Sequence, residues 1–235
     1  MKTSFLVPTR NRPAGLRRLL DSLLEKSADI RNVEVIFRVD DDDSLSLPAI
    51  AEYSSRLKIL TIVGPRSRHL GTYANEALRL STGDVLGITG DDNAVISPSW
   101  DVTVEREFDV FPDKIALVFG NDKSKYGPGP TSFFLHKNWI AATGEFFPEM
   151  FFHFCIDTWF QDLANRIGRY VFVPDLIIGH YHPALGNGVD DAVYGEAAPR
   201  MKEDNRMCDC QESVDRRAAL AEKLTEWIRS HRKAA

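Results

Sequence analysis

The amino-acid sequence predicts an α/β fold in which helices flank a mainly parallel central sheet. Short apolar runs alternate with segments of helical periodicity, and this alternation generates right-handed βαβ units with parallel strands. Acidic clusters follow several of the apolar runs, at the edge where open α/β sheets bind ligands. With 235 residues, 43% of them hydrophobic, the chain is long enough to bury one large core.

The individual elements follow from local patterns. Leucines recur at helical spacing between residues 16 and 24, directly after a first strand at 4–7. Further strands are predicted at 33–39, 57–63, 85–89, 115–119, 132–135, 170–173 and 175–181, and further helices around Pro48 and at 70–80, 156–167 and 220–228. Another helix is expected to start with Ser97 as its cap and Pro98 in its first turn. Residues 184–211 have little apolar periodicity, which predicts a long loop.

Composition and missing motifs exclude several classes of function. The formal net charge of −5 argues against nucleic acid as a partner, and no apolar run reaches the length of an integral membrane segment. The N-terminal apolar stretch is too short for a signal peptide, and the three cysteines form an odd, sparse set, so we expect a cytoplasmic location. The chain lacks the glycine-rich dinucleotide motif, the P-loop and the serine-hydrolase elbow.

The most informative segment is 83–93, where an apolar run ends in Asp91, Asp92 and Asn93. Thr9-Arg10 and the acidic stretch 40–43 follow the first two strands. The carboxyl ends of parallel strands share one edge of a sheet, so these groups are expected to line one crevice. Clustered oxygen ligands suit a hard divalent cation that keeps positions free for phosphates. The alternative interpretation is an acidic turn that only caps the next helix.

Four segments in order resemble the nucleotide-diphospho-sugar glycosyltransferases of the GT-A fold, close to the family-2-like group. They are 7–13 (Val-Pro-Thr-Arg-Asn-Arg-Pro), 39–41 (Val-Asp-Asp), 71–77 (Gly-Thr-Tyr-Ala-Asn-Glu-Ala) and Gly83-Asp84 with the strand and acids that follow. The resemblance is close over this first part of the chain and loose beyond it. It implies a metal-dependent enzyme that transfers a sugar from a nucleotide-diphosphate donor, taken here as a UDP-sugar, to a hydroxyl of a glycan or small-molecule acceptor.

The resemblance also implies a set of nucleotide-binding residues. They are Pro8, Thr9, Arg10, Arg12, Asp40, Asp42, Leu70, Asn75 and Asp91. Asp40 would accept a hydrogen bond from the base, whereas Asp43 is expected to cap the next helix. Without the resemblance, the two arginines would suit a solvated turn and Asn75 a solvent-facing position on its helix.

The implied metal ligands are Asp92 and His180, with Mn²⁺ or Mg²⁺ as the cofactor. The family pattern is Asp-x-Asp, but here Gly90 takes the place of the first acid, which leaves Asp92 as ligand and Asp91 near the ribose or a metal-bound water. A shifted register, with Asp91 and Asn93 as the pair, is the alternative. His182 is the second choice of histidine, since only one of the two is expected to reach the site. An imidazole ligand favours manganese, and the competing interpretation is a hydrogen-bonded loop histidine.

Asp157 opens the helix at 156–167, where the resemblance places the general base that acts on the acceptor hydroxyl. The family pattern there is Glu-Asp, and this chain has Ile156-Asp157. A base at this position implies inversion at the anomeric carbon. If Asp157 only stabilises the helix start through the helix dipole, retention is open.

The predicted organisation is one catalytic domain at 1–183 and a C-terminal loop and helix at 184–235 that pack on it. Residues 1–93 form the nucleotide-binding half of this domain and 94–183 the acceptor half. Two other functions compete with glycosyl transfer. A nucleotidyltransferase can share the sheet, but it typically carries a glycine-rich loop after the first strand, which 8–12 lacks. A non-catalytic protein that binds a nucleotide or sugar would explain the missing acid at Gly90.

Overall fold

The computed structural model describes residues 1–124 and 127–232, and these residues form one mixed sheet with helices on both faces. Its strands are β1 (Thr3–Thr9), β2 (Val33–Asp40), β3 (Lys58–Gly64), β4 (Val85–Ile88), β5 (Asn93–Val95), β6 (Leu117–Asn121), β7 (Phe133–His136) and β8 (Tyr170–His180). They are ordered β3-β2-β1-β4-β7-β6-β8-β5. The first four strands in this order, β3, β2, β1 and β4, are parallel to one another, as predicted. The other half is mixed, because β7 is antiparallel to both of its neighbours and β5 is antiparallel to β8.

The helices cover both faces of the sheet. They are α1 (Pro13–Lys26), α2 (Ser46–Ala51), α3 (Leu70–Leu78), α4 (Trp100–Asp109), α5 (Lys137–Thr143), α6 (Ile156–Arg166), α7 (Ala192–Ala197), α8 (Met201–Asp209) and α9 (Gln211–Arg232). One core cluster joins the sheet to α1, α2 and α4, and the other joins it to α3, α5, α6, α8 and α9. In the leucine stripe of α1, Leu16, Leu19, Leu20 and Leu23 are fully buried and Leu24 is partly buried, as its helical spacing predicts.

The helix predicted to be capped by Ser97 begins three residues later, at Trp100. The Ser97 hydroxyl donates to the carbonyl of Asp175 (2.7 Å) and accepts the amide N–H of Ile177 (2.8 Å), so it ties the end of β5 to β8. The two strands predicted at 170–173 and 175–181 are one strand, β8. A register shift against β6 falls between them, which explains the break in the apolar pattern.

The long loop predicted at 184–211 is wrong, since this region contains α7 and α8 and the first residue of α9. Asp191 caps α7 through its carboxylate, which accepts the N–H groups of Val193 (3.0 Å) and Tyr194 (3.3 Å). Helix α8 is polar with few apolar positions, and its two buried residues are Asp204 and Cys208. Residues 233–235 of the predicted C-terminal segment lie outside the described residues. Helices α8 and α9 contribute Cys208, Leu220, Leu224 and Ile228 to one of the two core clusters.

Two findings concern the cysteines and the possibility of a membrane-spanning helix. Cys155, Cys208 and Cys210 are all free thiols. Within 1–124 and 127–232, none of the helices combines the length and the apolar character needed to span a membrane.

Candidate active site

The carboxyl ends of β1, β2 and β4 open into a cleft of about 400 Å³. Residues of the loop before α6 form one wall of this cleft, and residues of α7 line it as well. The cleft is lined by most of the predicted site residues: Pro8, Thr9, Arg10, Arg12, Asp40, Leu70, Asp91, Asp92, Asn93, Asp157, His180 and His182. Asp42 and Asn75 are not part of this lining. The crevice expected from the strand ends is therefore present.

Asp91 is a buried carboxylate that joins the end of β1 to the start of α1. The Thr9 hydroxyl donates to its Oδ2 (2.8 Å), and the Arg12 guanidinium donates to its Oδ1 (3.1 Å). Burial raises the pKa of Asp91 to about 6, with the neighbouring Asp92 adding to the effect and Arg12 opposing it. Gly15 allows α1 to lie close to the backbone of Asp91, because a Cβ at position 15 would lie 2.3 Å from the Asp91 carbonyl oxygen.

Asp92 accepts hydrogen bonds on both of its carboxylate oxygens. Its Oδ2 lies 3.3 Å from His180 Nε2 and accepts the Tyr194 hydroxyl at 2.7 Å, and its Oδ1 accepts the Asn93 side-chain amide at 2.9 Å. The antiparallel pairing of β5 with β8 sets Asn93 opposite His180 and so brings the imidazole to the carboxylate. Burial acts to raise the pKa of Asp92, but His180 and Tyr194 outweigh it and lower the pKa to about 2.

Gly90 lies directly against the Asp92 carboxylate. A Cβ at this position would lie 2.5 Å from Asp92 Oδ1, so an aspartate would displace the Asp92 carboxylate. Next to it, Asn93 Oδ1 is buried, and none of the described residues donates a hydrogen bond to it. Mn²⁺ binds ligand atoms of three kinds that are present here: a carboxylate oxygen (Asp92 Oδ2), an imidazole nitrogen (His180 Nε2) and an amide oxygen (Asn93 Oδ1). In the parts of the chain that the structure describes, no three His, Cys, Asp or Glu side chains gather as a ligand set.

Two of the alternative metal ligands, Asp91 and His182, are engaged elsewhere. Asp91 directs its oxygens to Thr9 and Arg12, and His182 Nδ1 accepts the N–H of Ala184 at 3.1 Å. The His182 ring nevertheless lies 5.2 Å from the His180 ring, and both rings line the cleft. The contact with Asp92 Oδ2 is made by His180, and the choice of His180 over His182 as metal ligand stays a prediction.

On the nucleotide side, Asp40 is buried at the end of β2, with 1% of its surface exposed. Its Oδ1 accepts the Tyr73 hydroxyl at 2.7 Å, and its Oδ2 accepts Arg10 at 2.9 Å. Burial and the Asp40 carboxylate raise the pKa of Tyr73 to about 12. Asp42 is exposed and is not part of the cleft lining, and its carboxylate accepts hydrogen bonds from both terminal nitrogens of the same guanidinium, which orients Arg10. Asp43 accepts the N–H groups at the start of α2, as its predicted capping role requires.

Asn75 is not among the residues that line the cleft, and its place in the nucleotide site stays a prediction. Its amide group donates to the Phe147 carbonyl (3.0 Å) and to Glu149 (2.9 Å), and its Oδ1 accepts the Phe147 N–H (3.1 Å). These bonds fasten the 146–149 loop to α3. The helical pattern around Asn75 could not show which face of α3 meets this loop.

Asp157 lies in the first turn of α6, in the cleft wall. Its Oδ1 accepts the N–H of Thr158 (2.8 Å), and the residue at the N-cap position is Cys155, which makes no side-chain cap bond. The carboxylate is half-exposed, and its second oxygen has no hydrogen bond among those that the described residues make. That oxygen is therefore available to a ligand in the cleft.

Segment 191–197, which includes α7, supplies functional-site residues that the sequence patterns did not reveal. Asp191 forms a bidentate pair with Arg12 (2.7 and 2.9 Å), and the same guanidinium lies 4.0 Å from the centre of the Tyr194 ring. Arg66 pairs with Glu196 at the other end of α7. The available signal was the Asp191 cap, since an aspartate two residues before an apolar position is typical of a helix start.

Residues 4–168 match the sequence model of Glycosyl transferase family 2, which covers more than half of the chain, and the chain belongs to this family. Its fold is the GT-A fold of these glycosyltransferases. No curated protein matches the chain.

Solved structures with similar folds share little sequence with the chain. TarS 1–349 from S. aureus in complex with UDP superposes with a TM-score of 0.64 at 18% identity, over 95% of this chain and 71% of TarS 1–349. The same protein with UDP-GlcNAc gives 0.63 at 17% identity, over 95% and 72%. The mannosyltransferase PcManGT from Pyrobaculum calidifontis, in complex with GDP-Man and Mn²⁺, gives 0.63 at 15%, over 100% and 74%. In another TarS 1–349 structure the chain spans 59% of the protein, and in the longer TarS it spans 43%.

Proposed function

We propose that the protein transfers a sugar from a UDP-sugar to a hydroxyl of a glycan or small-molecule acceptor, with inversion of configuration. The observation that carries this proposal is the convergence on one cleft of three groups: Asp40 on the nucleotide side, the Asp92–His180 pair at the centre, and Asp157 in the cleft wall. Family membership supports glycosyl transfer as the reaction class.

Donor binding is assigned to the ends of β1 and β2 and the start of α3. Pro8 and Leu70 offer apolar walls, and Asp40 offers carboxylate oxygens to a base N–H, while Thr9, Arg10, Arg12 and Asp91 surround the phosphates and ribose. Two of the similar structures contain UDP or UDP-GlcNAc and one contains GDP-Man, which supports a nucleotide-sugar donor and makes uracil the base to test against guanine. In this proposal residues 1–93 hold the donor and residues 94–183 hold the acceptor. The proposed location is the cytoplasm, because three free thiols fit a reducing compartment.

Asp92 and His180 fit a divalent cation, with Mn²⁺ preferred over Mg²⁺ because one ligand is an imidazole. The cation would neutralise the diphosphate as it leaves, which is a Lewis-acid role. His180 Nε2 and the Tyr194 hydroxyl share Asp92 Oδ2, so both hydrogen bonds have to give way before this oxygen becomes a ligand. Asn93 Oδ1 is a further oxygen at the same place.

Asp157 is assigned as the base that takes the proton of the acceptor hydroxyl. A half-exposed carboxylate in the cleft wall is accessible to an acceptor that enters the cleft. Attack from this wall, opposite the diphosphate side of the cleft, inverts the anomeric carbon. The charge of Arg12, on the donor side, is available to the leaving phosphates once Asp191 releases it.

Metal-linked nucleotide binding tests the central pair. Calorimetry should show UDP binding tightly with Mn²⁺ and weakly with EDTA, and GDP serves as the parallel ligand. Asp92→Ala and His180→Ala should each weaken the Mn²⁺-dependent binding at least as much as the loss of an outer-shell partner, about 10–100-fold. Asp41→Ala and His182→Ala are the matched controls and should keep the wild-type affinity. Equal affinity for UDP with and without Mn²⁺ would contradict the assignment of Asp92 and His180 as metal ligands.

The base assignment has its own test. Asp157→Asn keeps the shape of the side chain and its bond to the Thr158 N–H, but it removes the basic carboxylate. Turnover should fall by about 10²–10⁴, with UDP affinity unchanged because Asp157 is not near the phosphates. NMR of the product from a labelled UDP-sugar should show the inverted anomer, and the same product analysis separates transfer from nucleotidyl transfer or mere binding. Near-normal turnover of Asp157→Asn contradicts the assignment.

A further inference from the structure

The buried carboxylate of Asp204 on α8 binds three successive backbone amides of the loop that precedes α6. Its Oδ1 accepts the N–H of Phe152 (2.8 Å), and its Oδ2 accepts those of His153 (2.9 Å) and Phe154 (2.8 Å). Only 1% of Asp204 is exposed, and in the described chain it has no ion-pair partner. Its charge is therefore satisfied by the loop amides, which makes these charge-assisted bonds strong and directional.

The loop held in this way sets the start of α6. Cys155, directly after the three amides, has a left-handed backbone with φ of 69°, a conformation that a non-glycine residue adopts only when its surroundings impose it. Its Sγ donates to Asn205 Oδ1 at 3.2 Å, so α8 holds this residue as well. Asp157 follows two residues later, in the first turn of α6.

The opposite side of the loop is fixed by the nucleotide half of the domain. The Phe152 carbonyl accepts the N–H of Leu70 at 2.8 Å, and the His69 ring stacks on the Phe152 ring at 5.0 Å. The 152–155 loop is thus clamped between the start of α3 and α8. Release of the α8 side would leave it anchored at one side only, and Asp157 would lose its defined position.

We propose that Asp204 is a positioning residue for the reaction, which fixes the 152–155 loop so that the Asp157 carboxylate faces the acceptor hydroxyl. The inference rests on the proposed role of Asp157 as base. It assigns a function to a part of the chain beyond residues 4–168, to which the family match extends. Asp204 touches no substrate and acts on the reaction through the direction in which Asp157 points.

The test compares Asp204→Asn with Glu203→Gln, an exposed neighbour on the same helix. The amide group introduced by Asp204→Asn has one acceptor oxygen and presents an NH₂ group to backbone donors, so at least one of the three bonds is lost. The UDP-hexose that the enzyme hydrolyses fastest serves as substrate, with water as acceptor. Turnover of Asp204→Asn should fall about 10–100-fold, the size expected for a misplaced catalytic group. UDP affinity and binding stoichiometry should stay at the wild-type value, amide exchange at Phe152–Phe154 should accelerate, and Glu203→Gln should behave like wild type.

A double-mutant cycle distinguishes positioning from general stability. If Asp204 acts through Asp157, the double variant with Asp157→Asn is no slower than Asp157→Asn alone, whereas an independent structural effect multiplies the two losses. Multiplied losses, or full turnover of Asp204→Asn beside a slow Asp157→Asn, would overturn the inference and leave the proposed function intact. Full turnover of Asp157→Asn contradicts the proposed function instead.

A milder variant covers the case in which Asp204→Asn does not fold. Asn205 is exposed, and Asn205→Ala removes only the acceptor of the Cys155 thiol. It should lower turnover a few-fold, and this loss should vanish in the Asp157→Asn background. Wild-type turnover of Asn205→Ala together with an unfolded Asp204→Asn would also overturn the inference.

Discussion

At the residue scale, Glu34 shows how a buried charge becomes a stabilising group. It lies on β2 with its side chain fully buried, where Oε1 accepts the Ser4 hydroxyl (2.6 Å) and the Thr82 N–H (2.7 Å). Oε2 lies 2.6 Å from the Lys58 ammonium group and 2.7 Å from that of Lys2. Burial acts to raise the pKa of Glu34, but these partners outweigh it and lower the pKa to about 2. The ionised form is therefore bound more tightly in the folded chain than in the unfolded one.

Glu34→Gln should lower the free energy of unfolding by up to about 3 kcal/mol at pH 7, because a shift of one pKa unit corresponds to about 1.4 kcal/mol. A lowered pKa contributes stability that is complete above pH 4.5, the unfolded value, and is lost as the pH falls towards 2. The difference between wild type and variant should accordingly shrink across this window. Urea unfolding followed by circular dichroism at several pH values measures it, with exposed Glu25→Gln as control. A difference that stays constant from pH 7 to 3 is incompatible with this explanation.

At the element scale, α7 and its cap connect both sides of the cleft. Asp191 holds Arg12, and Tyr194 holds Asp92, so the segment occupies two groups that the proposed reaction needs. Arg66 and Glu196 fasten the other end. Donor binding with a cation therefore has to exchange these contacts for contacts with the diphosphate.

Tyr194→Phe should strengthen Mn²⁺-dependent UDP binding. The variant keeps the ring under Arg12 but removes the hydroxyl that donates to Asp92 Oδ2, and a hydrogen bond to a charged group contributes about 1.5 kcal/mol or more, equivalent to about tenfold in affinity. Calorimetry with UDP and Mn²⁺ measures the change. Tyr53→Phe is the matched control, because its hydroxyl donates to Asp21 (2.9 Å) outside the cleft. Weaker binding by Tyr194→Phe would mean that the hydroxyl contributes to the bound state.

At the scale of the whole molecule, the C-terminal helices complete the core. Leu220, Leu224 and Ile228 of α9 are buried in the same cluster as Trp139 of α5 and Phe160 of α6. The family match ends at residue 168, before these helices begin, yet one face of the sheet depends on them. The fold of this chain is therefore larger than the part that defines its family.

Leu224→Ala should destabilise the whole domain by about 2–5 kcal/mol, because the site is fully buried and packed against several helices. The exposed neighbour Glu222→Ala serves as control and should change stability little. Chemical unfolding monitored by both tryptophan fluorescence and circular dichroism should show one cooperative transition shifted to lower denaturant. A separate early transition, with the main one unmoved, would show that α9 unfolds independently of the domain.

Sequence patterns predicted the parts of the fold whose signals are local. Nearly all residues of β1, β2 and β4 are buried because both faces of the sheet are covered there, and α1 has a stripe of leucines at helical spacing. Helix α8 was missed because its stability comes from one buried carboxylate that meets amides about fifty positions away. No local periodicity encodes such a contact.

The same distinction holds in the candidate site. Thr9, Asp40, Asp91 and Asp92 were predicted because each lies at or just after the end of a strand of the parallel sheet. Tyr194 was missed because it reaches the site across 102 positions of chain. Long-range contacts of this kind depend on how complete elements pack, and a helix or strand pattern says nothing about them.

The pairing of β5 with β8 has a consequence for the order in which the chain folds. It brings Asn93 opposite His180 and joins the two halves of the domain through a long intervening segment, so the entropy cost of closing that loop is met only after both halves have formed. The Asp92–His180 pair is therefore expected among the last contacts to form and the first to open. A ligand that bridges these two side chains should slow unfolding strongly while hardly changing the refolding rate.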